Sequence, residues 1–505
     1  MLKTLPYRKF NLLSIGAFTL LFIINFLLKV PITSMGFFAF TYDQGRDFLE
    51  VSKILYEKNL TLVGQTTGQQ GVFYGPTWYY FLSPIFALSN GDPQKIALFF
   101  GFFGMVTAMC IYLFLKVQSK SVLAAFLLAL IASMSSNWML GPTVIWNTSL
   151  APIATIGVFY IVTEIKRKGK AVYFFLLGLF LALITDSEMP WGIAMVFSTL
   201  ILLVAYKKYF YKKNLFLSLT GFLIVFFPKI VFNFKHNFLE FNAIAAFLKE
   251  PKVYGTQLSI PDRFASRLEQ YLELFSSSFA KNDKTIGLGI ILLIGVLIIF
   301  ISTSNKTRKI LKNDFLAIYS LIIISTALIL FTLFKDTVWT YYLVGLPIVF
   351  LVLISRIFDL SQNIRRVRIF GLALLSLMFV INFNWQIVNP YRITWLGDGA
   401  VYRNQKAVMD YIASQKPQNY SVYAYSPAIF DYPFDYLLSW YTKIGAIEKP
   451  DTAANMFYLI IRDSDKDAYI KSGWYGDKTK DKTTVIDRQE FTGNILVEKH
   501  IRNEN

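Results

Sequence analysis

Asp43 and Arg46 lie one helical turn apart where a long apolar run gives way to polar sequence, in Tyr42-Asp43-Gln44-Gly45-Arg46-Asp47-Phe48-Leu49-Glu50. The spacing predicts a helix over residues 43–57. Phe48, Val51 and Leu55 form its apolar stripe, and Asp43, Arg46, Asp47 and Glu50 follow i, i+3, i+4 and i+7 on another face. A carboxylate beside a guanidinium at an apolar boundary can take a proton from a hydroxyl and steady a phosphate. The plainer reading is that Asp43 caps the helix and Arg46 pairs with Glu50. A Gly/Gln turn follows at 64–71, then an aromatic run that includes Tyr74, Trp78 and Tyr79. These rings suit stacking on a sugar or an isoprenoid, although a membrane interface also collects aromatics.

Further charges sit where charge is costly. Lys229 follows Phe226-Phe227-Pro228 beside an apolar stretch, and His236 comes seven residues later. A cation there is expected to serve a function or to snorkel to the interface. Asp186 and Glu188 flank Ser187 just before Pro190, as carboxylates of a site or as solvated helix ends at a tight turn. No Walker or dinucleotide glycine loop, HExxH or CxxC occurs. His236 and His500 are the only histidines, and neither adjoins a nucleophile motif, which argues against a Ser-His-Asp hydrolase. The single cysteine, Cys110, permits no intramolecular disulfide.

The elements that must hold these residues are membrane helices. Of 505 residues 55% are hydrophobic and 16% charged, against about 25% charged in soluble domains. That composition excludes a cytosolic enzyme, a disordered chain and a disulfide scaffold. Eleven runs approach the ~20 residues a span requires: 11–30, 96–115, 121–138, 150–163, 171–185, 190–206, 215–233, 285–303, 315–334, 338–355 and 369–387. Those at 150–163 and 171–185 are short and should extend into their flanks. Basic residues mark alternate loops, at Lys3/Arg8/Lys9, Lys116/Lys120, Lys166–Lys170, Lys207–Lys213, Lys306–Lys312 and Arg356–Arg368. The loops between them are nearly bare, which places the N-terminus inside and the C-terminus outside. The net charge of +18 is then a topology signal and implies no nucleic-acid partner. The first apolar run is too long for a cleaved signal and should stay as a span.

Segment 76–89 is apolar but only about 14 residues long, and a crossing there would turn every later basic loop outward. It is expected to lie along the outer face. The outer segments are then 31–95, 234–284 and the tail. The tail, 388–505, turns polar, with strand-like runs at 421–425, 457–461 and 495–498 and a helical pattern at 402–414. It is expected to be a small accessory α/β domain behind a transmembrane domain of residues 1–387.

The order of a basic N-terminus, a span, an acid at the start of the first outer loop, a helix, a Gly-Pro-aromatic half-helix, many spans and an outer tail resembles the GT-C superfamily. These are polyprenyl-phosphate-sugar-dependent glycosyltransferases. The chain is similar in particular to bacterial protein O-mannosyltransferase and lipid A aminoarabinose transferase homologues, over residues 1–387 in architecture. In motif the likeness is confined to 43–55, 74–82 and 228–238.

The resemblance implies an all-α polytopic membrane fold of about eleven spans with a structured first outer loop. It implies a plasma-membrane transferase whose donor is a polyprenyl-phosphate sugar and whose acceptor is a lipid, glycan or protein. Asp43 would be the general base of an inverting transfer, with Arg46, Lys229 and His236 around the donor phosphate. Tyr74, Trp78, Tyr79, Asp186 and Glu188 would bind substrate. The resemblance implies no definite cofactor, and a divalent metal is compatible with the carboxylates. The chain departs from the pattern at Gln44, where many members have a second acid, and at Gly75, where aminoarabinose transferases carry a lysine. The rival readings are an O-antigen polymerase or ligase, and a transporter of lipid-linked sugars.

Overall fold

A computed structural model describes residues 11–502 except 120, 136–144, 207–211, 250–257, 304, 363, 394–398, 426–429, 453, 463–472 and 481–482. Lys3, Arg8, Lys9, Lys120, Lys207 and Lys208, and residues 136–144 of the second outer loop, therefore lie outside the described residues. α1 (Leu12–Ser34) leads into two helices of the first loop, α2 (Tyr42–Tyr56) and α3 (Thr77–Leu88). Then come α4 (Pro93–Gln118), α5 (Val122–Ser133), α6 (Leu150–Lys168), α7 (Ala171–Ser187), α8 (Met189–Ala205) and α9 (Lys212–Lys235). The second long loop holds α10 (Leu239–Lys249) and α11 (Ile260–Phe279). α12 (Lys284–Ser302), α13 (Asn305–Lys312), α14 (Phe315–Leu333), α15 (Leu346–Ser361) and α16 (Arg365–Ile393) complete the bundle.

Each of the eleven expected runs holds a helix among its described residues. Among the described residues eight helices are long and apolar enough to cross a membrane: α1, α4, α6, α9, α12, α14, α15 and α16. The other three, α5, α7 and α8, are shorter, at 12, 17 and 17 residues. The run at 150–163 does extend, since a 3₁₀ turn from Asn147 lengthens α6 at its start. Local sequence sets the ends. Asp92, Asp283 and Asp314 accept from the free N–H groups that open α4, α12 and α14. Gly169, in the left-handed region at φ +62°, closes α6. α15 is the most enclosed long helix, whereas α1 and α9 turn apolar side chains such as Phe22, Leu27, Ile224 and Phe227 outward. Apolar exposure of that extent suits a lipid solvent. α3 has 12 residues, about 18 Å at 1.5 Å per residue, well short of a ~30 Å hydrocarbon core.

In the tail the order is α17 (Tyr402–Ser414), β1 (Tyr420–Tyr425), α18 (Tyr432–Lys443), β2 (Met456–Arg462), α19 (Gly473–Thr479), β3 (Thr483–Phe491) and β4 (Ile495–Arg502). The sheet runs β1-β2-β4-β3, with β1 parallel to β2 and the other pairs antiparallel. Its core does not stop at the tail. Phe38, Phe40, Phe48, Trp78 and Phe86 of the first loop form one cluster with Tyr402, Met409, Tyr436 and Val497. Backbone bonds seal the seam: Phe40 N–H to Ala400 O at 2.8 Å and Tyr402 N–H to Phe38 O at 3.0 Å. α18 lies so close to α2 that a Cβ on Gly45 would stand 2.4 Å from the carbonyl carbon of Tyr432. The helix that carries Asp43 is thus seated on the tail.

Candidate active site

α2 starts with Gln44 reaching back, where its Oε1 accepts from the Thr41 backbone N–H at 2.8 Å and from the Thr41 hydroxyl at 2.5 Å. Its Nε2 donates to Ile145 O at 2.9 Å. The position where many GT-C members have a second acid therefore does structural work here. The start of α2 also corrects the plain reading of the sequence. Thr41, not Asp43, is the cap residue, and Glu50 pairs with Lys53 at 2.6 Å rather than with Arg46. Arg46 instead bridges two acids, Asp43 at 3.0 Å and Asp47 at 2.8 Å. Trp78 Nε1 donates to the far oxygen of Asp47 at 2.8 Å. Tyr79, also buried, lies against the same pair and has its hydroxyl pKa raised by burial first and by Asp47 next. Burial pushes Asp47 up to about 6 despite Arg46. Burial also works against the Arg46 charge, but Asp47 and Asp43 outweigh it and hold Arg46 above its ordinary value. Trp78 and Tyr79 therefore brace the arginine from behind.

The Gly/Gln turn is a tight hairpin. Gly64 N–H donates to Tyr74 O at 2.9 Å, Tyr74 N–H to Gln65 O at 2.9 Å and Thr67 N–H to Val72 O at 3.0 Å. Lys229 and Glu240, paired at 2.7 Å and both buried, clamp it at one residue. Lys229 Nζ donates to Phe73 O at 2.7 Å, and Phe73 N–H donates to Glu240 Oε1 at 3.2 Å. His236 stands exposed seven residues after Lys229, with its ring over Phe232.

The turn between α7 and α8 brings two more acids inward. Asp186 Oδ2 accepts from Thr77 N–H at 3.0 Å at the start of α3, where the helix dipole favours an anion. A Cβ on Gly75 would fall 1.3 Å from Asp186 Oδ1. The lysine of the aminoarabinose transferases cannot occupy this position with Asp186 where it is. Glu188 is fully buried, and Tyr74 donates to its Oε1 at 3.4 Å. Burial holds Glu188 well above the usual carboxylate range, and burial followed by Glu188 raises Tyr74.

Two cavities meet here. A polar one of about 130 Å³ is lined by Asp43, Arg46, Gln65, Thr66, Tyr74, Trp146, Asn147, Glu188 and Tyr341 among others. A largely apolar one of about 780 Å³ runs between α8, α10 and α14, past Ile193, Ile244, Phe247, Phe331 and Phe334. Thr67, Gly68 and Tyr74 line both, and Lys335 and Asp336 line the larger. Of the sequence candidates the polar cavity gathers Asp43, Arg46, Tyr74 and Glu188. Trp78 and Tyr79 support it, Asp186 anchors α3, Lys229 acts on it through the hairpin, and His236 lies outside its described lining. Gln65, Trp146, Asn147 and Tyr341 were not singled out from sequence. Among the described residues no three His, Cys, Asp or Glu gather closely enough to hold a metal ion.

The arrangement of helices has solved counterparts. The structure of ArnT from Cupriavidus metallidurans bound to undecaprenyl phosphate superimposes with a TM-score of 0.58 at 10% identity, over 96% of this chain and 98% of that one. The chain has the ArnT fold. The apo state of the same ArnT gives a TM-score of 0.57 at 10% identity, over 96% and 97%. The likeness of fold extends beyond residues 1–387, since 96% coverage leaves out too few residues to exclude the tail. No protein-family model and no curated protein matches the sequence.

Proposed function

We propose that the chain is an integral membrane glycosyltransferase that moves a sugar from a polyprenyl-phosphate donor to an acceptor hydroxyl. The observation that carries this reading is the shared wall of the two cavities. A large apolar cavity suits an isoprenoid, a polar one with an acid and a guanidinium suits a sugar and its phosphate, and Thr67, Gly68 and Tyr74 join them. The ArnT fold supports it, and ArnT itself has been seen with undecaprenyl phosphate. The same likeness favours a transferase over a polymerase, ligase or transporter.

Asp43 takes the proton of the acceptor hydroxyl as that oxygen attacks the anomeric carbon. The bond from that carbon to the phosphate oxygen breaks on the opposite side and its electron pair leaves with the lipid phosphate, which inverts the centre. Arg46 and Lys335 are the cations at the two cavities that meet the departing charge. Lys229 contributes by fixing the hairpin. The reaction is placed on the outer face, with the N-terminus inside, from the alternation of basic loops.

Purified protein incubated with a panel of polyprenyl-phosphate monosaccharides and acceptors should release polyprenyl phosphate. Failure with every donor, together with no binding of the bare lipid phosphate, would remove the proposal. For orientation, a cysteine placed at Asn419 should react with an impermeant reagent in intact cells; reaction only after lysis overturns the topology.

A further inference from the structure

Buried polar atoms without partners are scattered through most proteins, but here three residues that carry them converge. Gln65 is 5% exposed and neither its Oε1 nor its Nε2 has a partner. Asn147 is 2% exposed with Oδ1 unpartnered, while its Nδ2 is held by Ser187 O. Glu188 is fully buried with Oε2 unpartnered. All three line the polar cavity. Native structures leave few such groups, and a cluster of them facing one small space points to a ligand that completes them.

We propose that this cavity seats the donor's sugar ring, that Gln65 and Asn147 read its hydroxyls, and that the sugar is therefore an uncharged monosaccharide. The inference rests on the glycosyltransferase reading above. A hydroxyl both donates and accepts, and so does a carboxamide with both ends free, so Gln65 can engage two neighbouring hydroxyls at once. The remaining open atoms, Asn147 Oδ1 and Glu188 Oε2, suit hydroxyl donors. The cavity offers no unpaired charge to a charged sugar: Asp43 is paired with Arg46 at 3.0 Å, and burial favours the neutral acid form of Glu188. Trp146 and Tyr341, their rings 5.1 Å apart, supply the apolar wall against which a ring's C–H face packs. At about 130 Å³ the space is small, which favours one ring rather than a chain.

The test uses the purified full-length protein and four lipids: polyprenyl phosphate carrying a neutral hexose or pentose, an amino sugar or a uronic acid, and the bare phosphate. The parent protein should turn over the neutral donor at least about ten-fold better than either charged one. Gln65→Leu and Asn147→Leu should each raise the KM for the neutral donor roughly ten-fold, while affinity for bare polyprenyl phosphate stays at the parent value. A purely structural role would move both measurements together. Preference of the parent protein for a charged sugar overturns the inference and needs no variant to fold. So does an unchanged donor KM in Gln65→Leu. Either result leaves the transferase reading standing, whereas a parent protein that neither consumes any donor nor binds bare lipid phosphate sinks both.

Discussion

Asp43→Asn should turn over donor about 10²–10⁴-fold more slowly than the parent protein, with binding of polyprenyl phosphate retained. The structure makes this variant informative because the competing role for Asp43 is already filled. Thr41 is the cap residue of α2 and Gln44 serves it, so loss of the Asp43 carboxylate leaves the helix start intact. Its ion pair with Arg46 is partly exposed, with 32% of the Asp43 side chain open, and such pairs contribute about 0–1 kcal/mol. Folding should therefore survive, as judged by an unaltered melting temperature in detergent. Wild-type turnover in Asp43→Asn would refute the base and turn attention to Glu188, the other acid in the cavity.

Arg46→Met has the largest expected effect on stability. It strands Asp47, whose side chain is 1% exposed, with Trp78 as its remaining hydrogen-bond donor. Removing one partner of a buried pair costs about 3–5 kcal/mol. The loss should depend on pH. Burial places Asp47 at about 6 in the folded protein, above its ordinary 3.8, so the fold favours the protonated acid. That contribution is complete at low pH and is lost as pH rises from about 4 to about 6. Taking away Arg46 removes an interaction that favours the carboxylate, which carries the upper edge of the window higher. The deficit of Arg46→Met should thus be greatest at pH 7 and above, should shrink on acidification, and should be relieved by adding Asp47→Asn. A variant that melts with the parent at neutral pH would show that the pair contributes nothing.

The helices were legible because lipid demands long apolar runs, and each of the eleven runs holds a helix among its described residues. α2 and α3 were legible for a different reason, their 3.6-residue patterning and a length unsuited to crossing. The tail was read in part. β1, β2 and β4 carry buried apolar side chains, but β3 (Thr483–Phe491) is exposed over most of its length and mixes Asp, Arg, Gln and Glu with Val and Ile, so no alternation betrays it. The site divides the same way. Asp43 and Arg46 stand out by spacing on one helix. Gln65 and Asn147 become a site only when a hairpin and the start of α6 meet, and no local pattern encodes that meeting. Lys229 was noticed for its unfavourable setting, yet its partner Glu240 lies beyond a turn, so its work as a clamp on Phe73 could not be read from sequence.

Docking of α18 onto α2 also bears on how the protein comes to be active. Gln405 donates to Phe40 O at 2.9 Å from 365 residues away, and Lys443 to the Tyr56 hydroxyl from 387 away. At translation rates of ~5–20 residues per second, α2 must wait roughly 20–80 s after its own synthesis for these partners to emerge. Until then the faces of Phe40 and Phe48 that meet the tail stay uncovered, and nothing on that side fixes the helix that holds Asp43. Contacts of such high order close late. On the glycosyltransferase reading, a chain halted before residue 400 should therefore be embedded in the bilayer, leave the cavity at Asp43 unfinished and be inert toward donor.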